Sequence, residues 1–510
     1  MRQKLFNFNN RFFKLLFYFF ITITFYFALT SSNLILGDNH ITKIGTTWFT
    51  TYVLIAAFLF GLLIYASENV RDFLAFIFID RRWITASCCL AIAILIQIGF
   101  ILLIHSPVAD DVGVVHQVLL TPKSPNIVGY FSVNPNNLGI ALFQKFLADT
   151  FHTTSWLFFE MATLIIIDIA ALFNLLSIAV IDKNKLPIGM YIHALWIISF
   201  PAILIPYTDT WVVGFVAIYI FCYCLIAYSN TNKFIKSFFA LVMGFNIVCA
   251  YIIKPSGIIP AIAIVIIEGL NLLSNHKKQW WWIVLVSALL VGSTAGSYYK
   301  LNQTIKNQKY VTVYYFRAKP MVHFINMGLS GDGGYNAKDS MKMVTTINKQ
   351  DRINYSVNSI KKRLHKMGFS GYLAFLWRKQ NNNAADGTFG YLREGDASPM
   401  KHKPDKHGFR GKVENFFLLY GNNVGDFRYF TQIWWCIWLG LIFFAWNDDR
   451  KIMQVMRVSL IGGFIFLLIF EGGRSRYLIQ FLPVFLLLAT LGSTASSEKL
   501  RSLFSWTKIS

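Results

Sequence analysis

The sequence is poor in charged residues and in cysteine, and both shortages narrow the class of protein. Only 14% of its 510 residues are Asp, Glu, Lys or Arg, whereas a soluble protein carries about a quarter. The six cysteines all lie inside apolar stretches, and no Cys-x-x-Cys or Cys/His zinc spacing occurs. The sequence therefore argues against a soluble globular domain, a disulfide framework and a zinc site.

Apolar residues are abundant instead, at 55% hydrophobic and 17% aromatic. Stretches of about 20 apolar residues, long enough to cross a bilayer, recur along most of the chain. We therefore predict an all-α polytopic membrane protein with about twelve transmembrane helices. The first span lacks a small-residue cleavage site, so we interpret it as retained. The predicted spans are 15–36, 47–66, 84–104, 156–181, 187–205, 211–229, 237–253, 256–273, 281–299, 430–446, 456–471 and 476–493.

The order of spans and polar stretches predicts four regions. They are two N-terminal transmembrane helices in 1–83, a membrane core in 84–299 that includes an outer loop at 105–155, an extracytoplasmic segment of mixed structure in 300–429, and C-terminal transmembrane helices with a tail in 430–510.

Basic residues outnumber acidic ones by 47 to 25, which gives a formal net charge of +22. Short basic loops recur after every second span, as the positive-inside rule expects when both termini are cytoplasmic. We therefore interpret the charge as basic loops beside anionic lipid and predict no nucleic acid partner.

The remaining polar clusters all fall on the opposite, extracytoplasmic face of this topology. They lie at 110–111, 206–209, 254–256, 300–429 and 471–477. A transporter is expected to place its polar groups near mid-membrane, in broken helices of two repeats. The one-sided arrangement favours a site at the outer leaflet.

An acidic pair, Asp110 and Asp111, follows the third span and precedes Asn136 and Asn137 in the same loop. Two adjacent carboxylates resist ionising together, so such a pair can hold or accept a proton. Asp110 is our candidate general base, with Asp111 as its partner or as a metal ligand. A solvated loop or a helix terminus explains the acids equally well.

Three basic residues on the predicted outer face are candidates for binding phosphate: Lys254, Arg474 and Arg476. Arginine forks match phosphate oxygens, and basic residues on this face depart from the charge rule. A lysine at the end of a span often only extends to the interface, however. Asp209 is a weaker candidate, because short turns commonly carry Asp.

Glycine-rich segments at 327–335 and 386–394 punctuate the outer segment. They are typical of turns, or of backbone that approaches a ligand closely. Walker and Rossmann spacings do not occur, so no nucleotide site is indicated.

Together these pieces resemble the GT-C superfamily of membrane glycosyltransferases, which take a sugar from a polyprenyl-phosphate carrier at the outer leaflet. They are similar in particular to a Gram-positive group of integral membrane proteins assigned to that superfamily. The resembling pieces are Asp110-Asp111, Asn134-Pro135-Asn136-Asn137, Pro206-Tyr207-Thr208-Asp209, Lys254-Pro255-Ser256, Met327-Gly328-Leu329, Gly333-Gly334-Tyr335, Asp386-Gly387-Thr388-Phe389 and Arg474-Ser475-Arg476-Tyr477.

The resemblance implies that Asp110 deprotonates or orients the acceptor, and that Asp111 stands where many relatives carry a second acid. Lys254, Arg474 and Arg476 match the carrier phosphate more loosely. Two spans precede the acidic loop here, whereas the family core has one, so we interpret the N-terminal pair as an addition.

For the substrates we expect further contacts from four residues: Asn136, Asn137, Asp209 and Asp386. The resemblance implies a Mg²⁺ or Mn²⁺ ion as a possible cofactor, because metal use varies across the superfamily. The expected partners are a polyprenyl-phosphate-linked sugar, a cell-envelope glycan acceptor and the lipid bilayer. Two alternatives stay open, a flippase for a lipid-linked saccharide and an envelope polysaccharide polymerase.

Overall fold

The computed structural model describes residues 2–274, 280–391, 403–405 and 407–503. Over these residues the backbone forms helices and connecting loops and contains no strand. Eleven of its helical runs are long and apolar enough to cross a membrane. The predicted fourth and fifth spans fall within one run, 156–198, because a 3-10 turn joins them. The prediction of an all-α polytopic membrane protein is confirmed.

The N-terminal region forms four helices, of which the third is too short to span. They are α1 (Arg2–Leu29), α2 (Trp48–Ala66), α3 (Glu68–Ala75) and α4 (Arg82–Ile104). The start of α2 is capped by the hydroxyl of Thr47, which accepts from the backbone N–H of Phe49 at 3.2 Å. This cap satisfies one of the amide groups that a helix leaves unpaired at its N-terminus.

The predicted outer loop at 105–155 folds into three short helices. They are α5 (Asp110–Gln117), α6 (Pro125–Val133) and α7 (Leu138–Phe151). Ser124 caps α6, and Pro125 takes its first position, where a missing N–H costs nothing. His152 ends α7 in the left-handed conformation. Local capping signals thus fix where each helix of the loop begins or ends.

Six helices build the membrane core. They are α8 (Trp156–Asp182), α9 (Leu186–Ile198), α10 (Thr208–Tyr228), α11 (Lys233–Ile253), α12 (Ile259–Ser274) and α13 (Trp280–Asn307). Most residues of α10 are buried, because α10 packs between α8 and α11. A Cβ added at Gly214 would lie 3.0 Å from Ile166, so this glycine permits a close approach of α10 to α8.

The predicted extracytoplasmic segment contributes four helices in its described residues. They are α14 (Met321–Gly328), α15 (Ala337–Thr345), α16 (Lys349–Ala384) and α17 (Gly408–Phe417). Gly368, at φ 62°, interrupts α16 with a non-helical conformation that glycine adopts without strain. Residues 346–348 separate α15 from α16.

Three membrane helices complete the chain. They are α18 (Val424–Phe444), α19 (Lys451–Ile469) and α20 (Leu482–Leu503). α20 is buried along residues 482–493 and packs against α18, α8 and α9. α18 begins at Val424 and α13 continues to Asn307, so the helices extend beyond the predicted segment limits of 300 and 429.

Alternating helix directions place the polar groups at two ends of the bundle. At one end, which we call the site end, α4 and α11 finish and α10 begins. At the opposite end ion pairs join the connections, with Lys14–Asp449 at 2.8 Å and Lys451–Glu268 at 2.6 Å. The candidate residues from the sequence lie at the site end.

Candidate functional site

The acidic pair opens helix α5. Asp110 is its first residue and has φ 52°, a left-handed conformation that Asp adopts more readily than most residues. Asp111 accepts hydrogen bonds from the hydroxyls of Tyr130, at 2.9 Å, and Tyr207, at 3.4 Å. Both acids are exposed. The structure thus presents two adjacent carboxylates to solvent and fixes one of them with two tyrosines.

The predicted asparagines belong to the same network. The amide of Asn137 donates to the hydroxyl of Tyr130 at 2.5 Å and to that of Tyr207 at 3.1 Å. Asn136, which is exposed, donates to the side-chain oxygen of Asn137 at 3.1 Å. Burial raises the pKa of Tyr130 and of Tyr207 well above 10, so both remain protonated donors. We call Asp110, Asp111, Tyr130, Asn137 and Tyr207 the acid cluster.

A buried ion pair lies next to it. Lys254, the residue that ends α11, pairs with Asp209 in the first turn of α10. A cation at a helix C-terminus and an anion at a helix N-terminus each complement the helix dipole. Burial lowers the pKa of Lys254, and the charge of Asp209 opposes that shift. The pairing accounts for both residues structurally, and it also holds an ammonium group at the site end.

The loop between α19 and α20 adds further charges. Arg476 lies over the ring of Tyr477 at 5.1 Å, and Lys254 lies over the same ring at 4.7 Å. The hydroxyl of Tyr477 donates to Glu471 at 3.2 Å. We call Lys254, Asp209, Glu471, Arg476 and Tyr477 the cation cluster. It contains two of the three predicted phosphate ligands.

The third predicted phosphate ligand, Arg474, is half-buried and lies beside the cluster residues in the same loop. Its Nε is 3.4 Å from the point where a Cβ of Gly334 would stand. Within the described part of the chain, its guanidinium forms no ion pair or hydrogen bond. Arg474 therefore remains available to an anionic ligand.

Lys319, which the sequence argument missed, lies between the two clusters. Its backbone N–H donates to the carbonyl of Val133 at the end of α6, at 3.1 Å. Burial lowers the pKa of its ammonium group, while Glu471 and Asp111 raise it, so both acids lie within electrostatic reach. One sequence feature could have indicated this residue: Lys319 precedes a proline, as Lys254 does.

The glycine-rich segment 327–335 contacts the loop between α19 and α20. The backbone N–H of Gly472 donates to the carbonyl of Gly333 at 2.9 Å, and that of Gly473 donates to Asn383 at 2.6 Å. Gly473 has φ 68°, and an added Cβ would overlap the carbonyl oxygen of Asp332. The close backbone approach that the sequence suggested is therefore an approach to another loop of this chain.

Lys379 is a second residue that the sequence did not indicate. It is buried beneath these loops and joins them. It donates to the carbonyls of Gly328 at 2.7 Å, Leu468 at 3.0 Å and Phe470 at 2.7 Å. All three carbonyls lie at or next to the C-termini of α14 and α19, where a cation is favoured. Burial lowers the pKa of Lys379 to about 7. This lysine positions the loop that carries the arginines.

Asp386 lies in a turn with its own contacts. Its carboxylate accepts from Asn33 at 2.9 Å and from the backbone and hydroxyl of Thr388 at 2.9 and 2.7 Å. The next residue, Gly387, donates to Gln432 of α18 at 2.9 Å. These contacts give Asp386 a structural role in the turn, and its predicted contact with substrate stays a prediction.

For the expected divalent cation, the acid cluster offers the two exposed carboxylates of Asp110 and Asp111. In the described ranges, no group of three His, Cys, Asp or Glu side chains is arranged to hold a metal ion. Mg²⁺ binds many sites through one or two carboxylates together with substrate phosphates. The pair fits that pattern, and the cation stays a prediction.

The helices and the charged clusters define a polytopic, all-α integral membrane protein with a polar site at one end of its bundle. The chain belongs to the family described as conserved hypothetical integral membrane protein, whose model matches residues 5–497. No curated protein and no solved structure matches the chain.

Proposed function

We propose that this protein is a GT-C-type glycosyltransferase that transfers a sugar from a polyprenyl-phosphate donor to a glycan, glycolipid or glycopolymer of the cell envelope. In this proposal the site end faces the extracytoplasmic side and both termini are cytoplasmic, as the distribution of basic loops favours.

The observation that carries the proposal is that Tyr207 of the acid cluster lies next to the cation cluster. Its hydroxyl contacts Asp111 and Asn137 of the acid cluster. The charges of Asp209 and Arg476, from the cation cluster, act on the same hydroxyl. Groups able to accept a proton and groups able to stabilise a phosphate therefore lie side by side.

These groups match the two demands of glycosyl transfer. An acceptor hydroxyl must lose a proton as its oxygen attacks the anomeric carbon, and Asp110 takes that proton as general base. The bond between the anomeric carbon and the phosphate oxygen breaks, and the polyprenyl phosphate leaves with the electron pair. Lys254, Arg474 and Arg476 stabilise the negative charge that develops on it.

Within the acid cluster we assign two roles. Asp111 accepts from two tyrosine hydroxyls, so we assign it the positioning of the acceptor. Asp110 matches the acid that the family resemblance implies as the base, so we assign it the proton transfer. Asn136 is exposed beside them, and its amide suits a sugar hydroxyl.

The test compares envelope glycans by mass spectrometry in a deletion strain complemented with wild type, Asp110→Asn or Asp149→Asn. Asp149 is a matched control, because it is an exposed carboxylate on α7 of the same loop and pairs only with Lys145 in the described residues. We expect loss of a defined sugar in the deletion strain, with rescue by wild type and Asp149→Asn but not by Asp110→Asn.

Other outcomes separate the alternatives. An unchanged set of linkages with an accumulated lipid-linked precursor indicates a flippase. Shortened chains of unchanged composition indicate a polymerase. Normal modification by an Asp110→Asn protein that inserts at wild-type levels refutes the base assignment.

A further inference from the structure

A cleft of about 480 Å³ opens in the outer segment, between the residues that precede α14 and the start of α16. Its lining combines apolar and aromatic surface with two ammonium groups. The lining includes Tyr315, Lys319, Pro320, Met321, Lys349 and Ile353. Ligand clefts in proteins typically have volumes of about 300–1,000 Å³ and apolar walls with a few placed polar groups.

A buried arginine holds the two walls of this cleft together. Arg352 donates to the carbonyls of Thr346 and Ile347, at 3.0 and 3.1 Å, on the α16 side. It also donates to Phe316 and Ala318, at 2.6 and 3.3 Å, on the other wall. Because one fully buried guanidinium ties both walls, the cleft is formed before any ligand binds.

The same wall is attached to the acid cluster. The backbone N–H of Tyr314 donates to Ser132 at 2.9 Å, and that of Lys319 donates to Val133 at 3.1 Å. Both acceptors belong to α6, the helix whose Tyr130 contacts Asp111. The ammonium group of Lys319 is thus shared, since it lines the cleft and lies within electrostatic reach of Asp111.

The lining indicates the chemistry of the ligand. Lys349 is exposed at the first position of α16, where the positive end of the helix dipole adds to its charge. Tyr315 and Met321 expose 46% and 74% of their surface, which offers apolar contact to the carbon face of a sugar ring. A neutral glycan would give Lys349 no anionic partner, and a purely apolar ligand would leave both lysines dehydrated.

We propose that this cleft binds the acceptor, and that the acceptor is an anionic saccharide chain that carries carboxylate or phosphate groups. The inference rests on the proposed function, because it places the acceptor beside Asp110 and Asp111. Lys319 and Lys349 pair with the anionic groups of the chain, and the ring of Tyr315 supports a sugar unit.

The test measures fluorescence anisotropy of a fluorescein-labelled oligogalacturonate with the full-length protein in zwitterionic nanodiscs. A neutral maltooligosaccharide of the same length is the comparison probe. We expect the charged probe to bind at least about tenfold more tightly, and Lys349→Gln to weaken its binding about three- to fivefold. Lys361→Gln, an exposed lysine farther along α16, is the control and should leave binding unchanged.

Three results would overturn the inference. These are equal binding of the charged and neutral probes, unchanged binding by Lys349→Gln, and displacement of the probe by soluble dibutyryl phosphatidylglycerol at a lower concentration than unlabelled oligogalacturonate displaces it. The last result would assign the cleft to a lipid headgroup.

The design separates this inference from the proposed function. Asp110→Asn should abolish transfer and keep binding of the probe, because Asp110 is assigned the proton transfer and lies outside the cleft lining. Normal transfer by Lys349→Gln, with an unchanged KM for the acceptor, refutes the acceptor site and leaves the glycosyltransferase intact. If the wild-type protein binds the probe but transfers no sugar, the proposed glycosyltransferase activity is refuted and the cleft remains a binding site for an anionic saccharide.

Discussion

The hydroxyl of Tyr207 donates to the carboxylate of Asp111 at 3.4 Å, although the two residues are 96 positions apart in sequence. Tyr207 stands at the start of α10 and Asp111 in the first turn of α5. The bond therefore joins the membrane core to the outer loop.

Replacing Tyr207 with Phe should slow sugar transfer about tenfold or more, because a hydrogen bond to a charged group contributes about 1.5–3 kcal/mol. The measurement is the transfer rate together with the thermal midpoint of the purified protein. Tyr420→Phe, an exposed tyrosine, is the control. An unchanged rate in a well-folded Tyr207→Phe protein would show that Asp111 needs no positioning.

Replacing Lys254 with Met should destabilise the protein by about 3–5 kcal/mol, because Asp209 is left buried without its partner. The double variant Lys254→Met, Asp209→Leu should recover most of that loss, since neither charge remains buried. Thermal unfolding in detergent measures both. If the ammonium group also binds the donor phosphate, transfer stays low in the double variant. Recovery of stability and of transfer together would assign Lys254 a structural role alone.

Asp426 attaches α2 to the bundle. Its fully buried carboxylate accepts from the backbone and hydroxyl of Thr47, both at 2.8 Å, and from the hydroxyl of Thr50 at 2.6 Å. Asp426→Ala removes the acceptor of the buried Thr50 hydroxyl and of the half-buried Thr47 donors, so we expect a loss of about 2–4 kcal/mol in stability.

The midpoint of thermal unfolding checks this prediction, and Asp351→Ala at an exposed position is the matched control. An equal, small shift in both variants would mean that α2 is held by its contacts with lipid.

His323 predicts a loss of stability in acid. Burial, together with the charges of Lys319 and Arg363, lowers its pKa from 6.5 to about 4, and Asp339 acts in the opposite direction. The unfolded chain takes up a proton on this ring at a higher pH than the folded protein does. Stability is therefore complete above pH 6.5 and falls as the pH drops toward 4, by about 3 kcal/mol.

His323→Leu should flatten this dependence, because the ring nitrogens of His323 have no hydrogen-bond partner among the described residues. Thermal midpoints between pH 4.5 and 7.5 provide the comparison. Burial also lowers the pKa of His116 to about 4. Because His116 is present in both proteins, it contributes equally to the pH dependence of each and leaves the difference between them unchanged. The same acid loss in variant and wild type would contradict the prediction.

The sequence by itself determined the class of protein and most of the helices. Few secondary structures can span a bilayer, because every backbone polar group must be hydrogen-bonded within the protein. Apolar runs of about 20 residues therefore specify helices without knowledge of their neighbours. Asp110, Asp111, Asn136 and Asn137 could be grouped for a similar reason, since one short loop carries all four.

Only the tertiary structure decided which distant residues meet. Tyr130 meets Asp111 because the outer loop folds back on itself, and Lys319 lies beside the acid cluster because the outer segment packs on α6. Lys379 and Arg352 are buried among carbonyl groups, while Asp386 holds a turn. The sequence alone does not distinguish a lysine that binds a ligand from a lysine that joins two loops. Their burial and partners, which long-range packing sets, distinguish them.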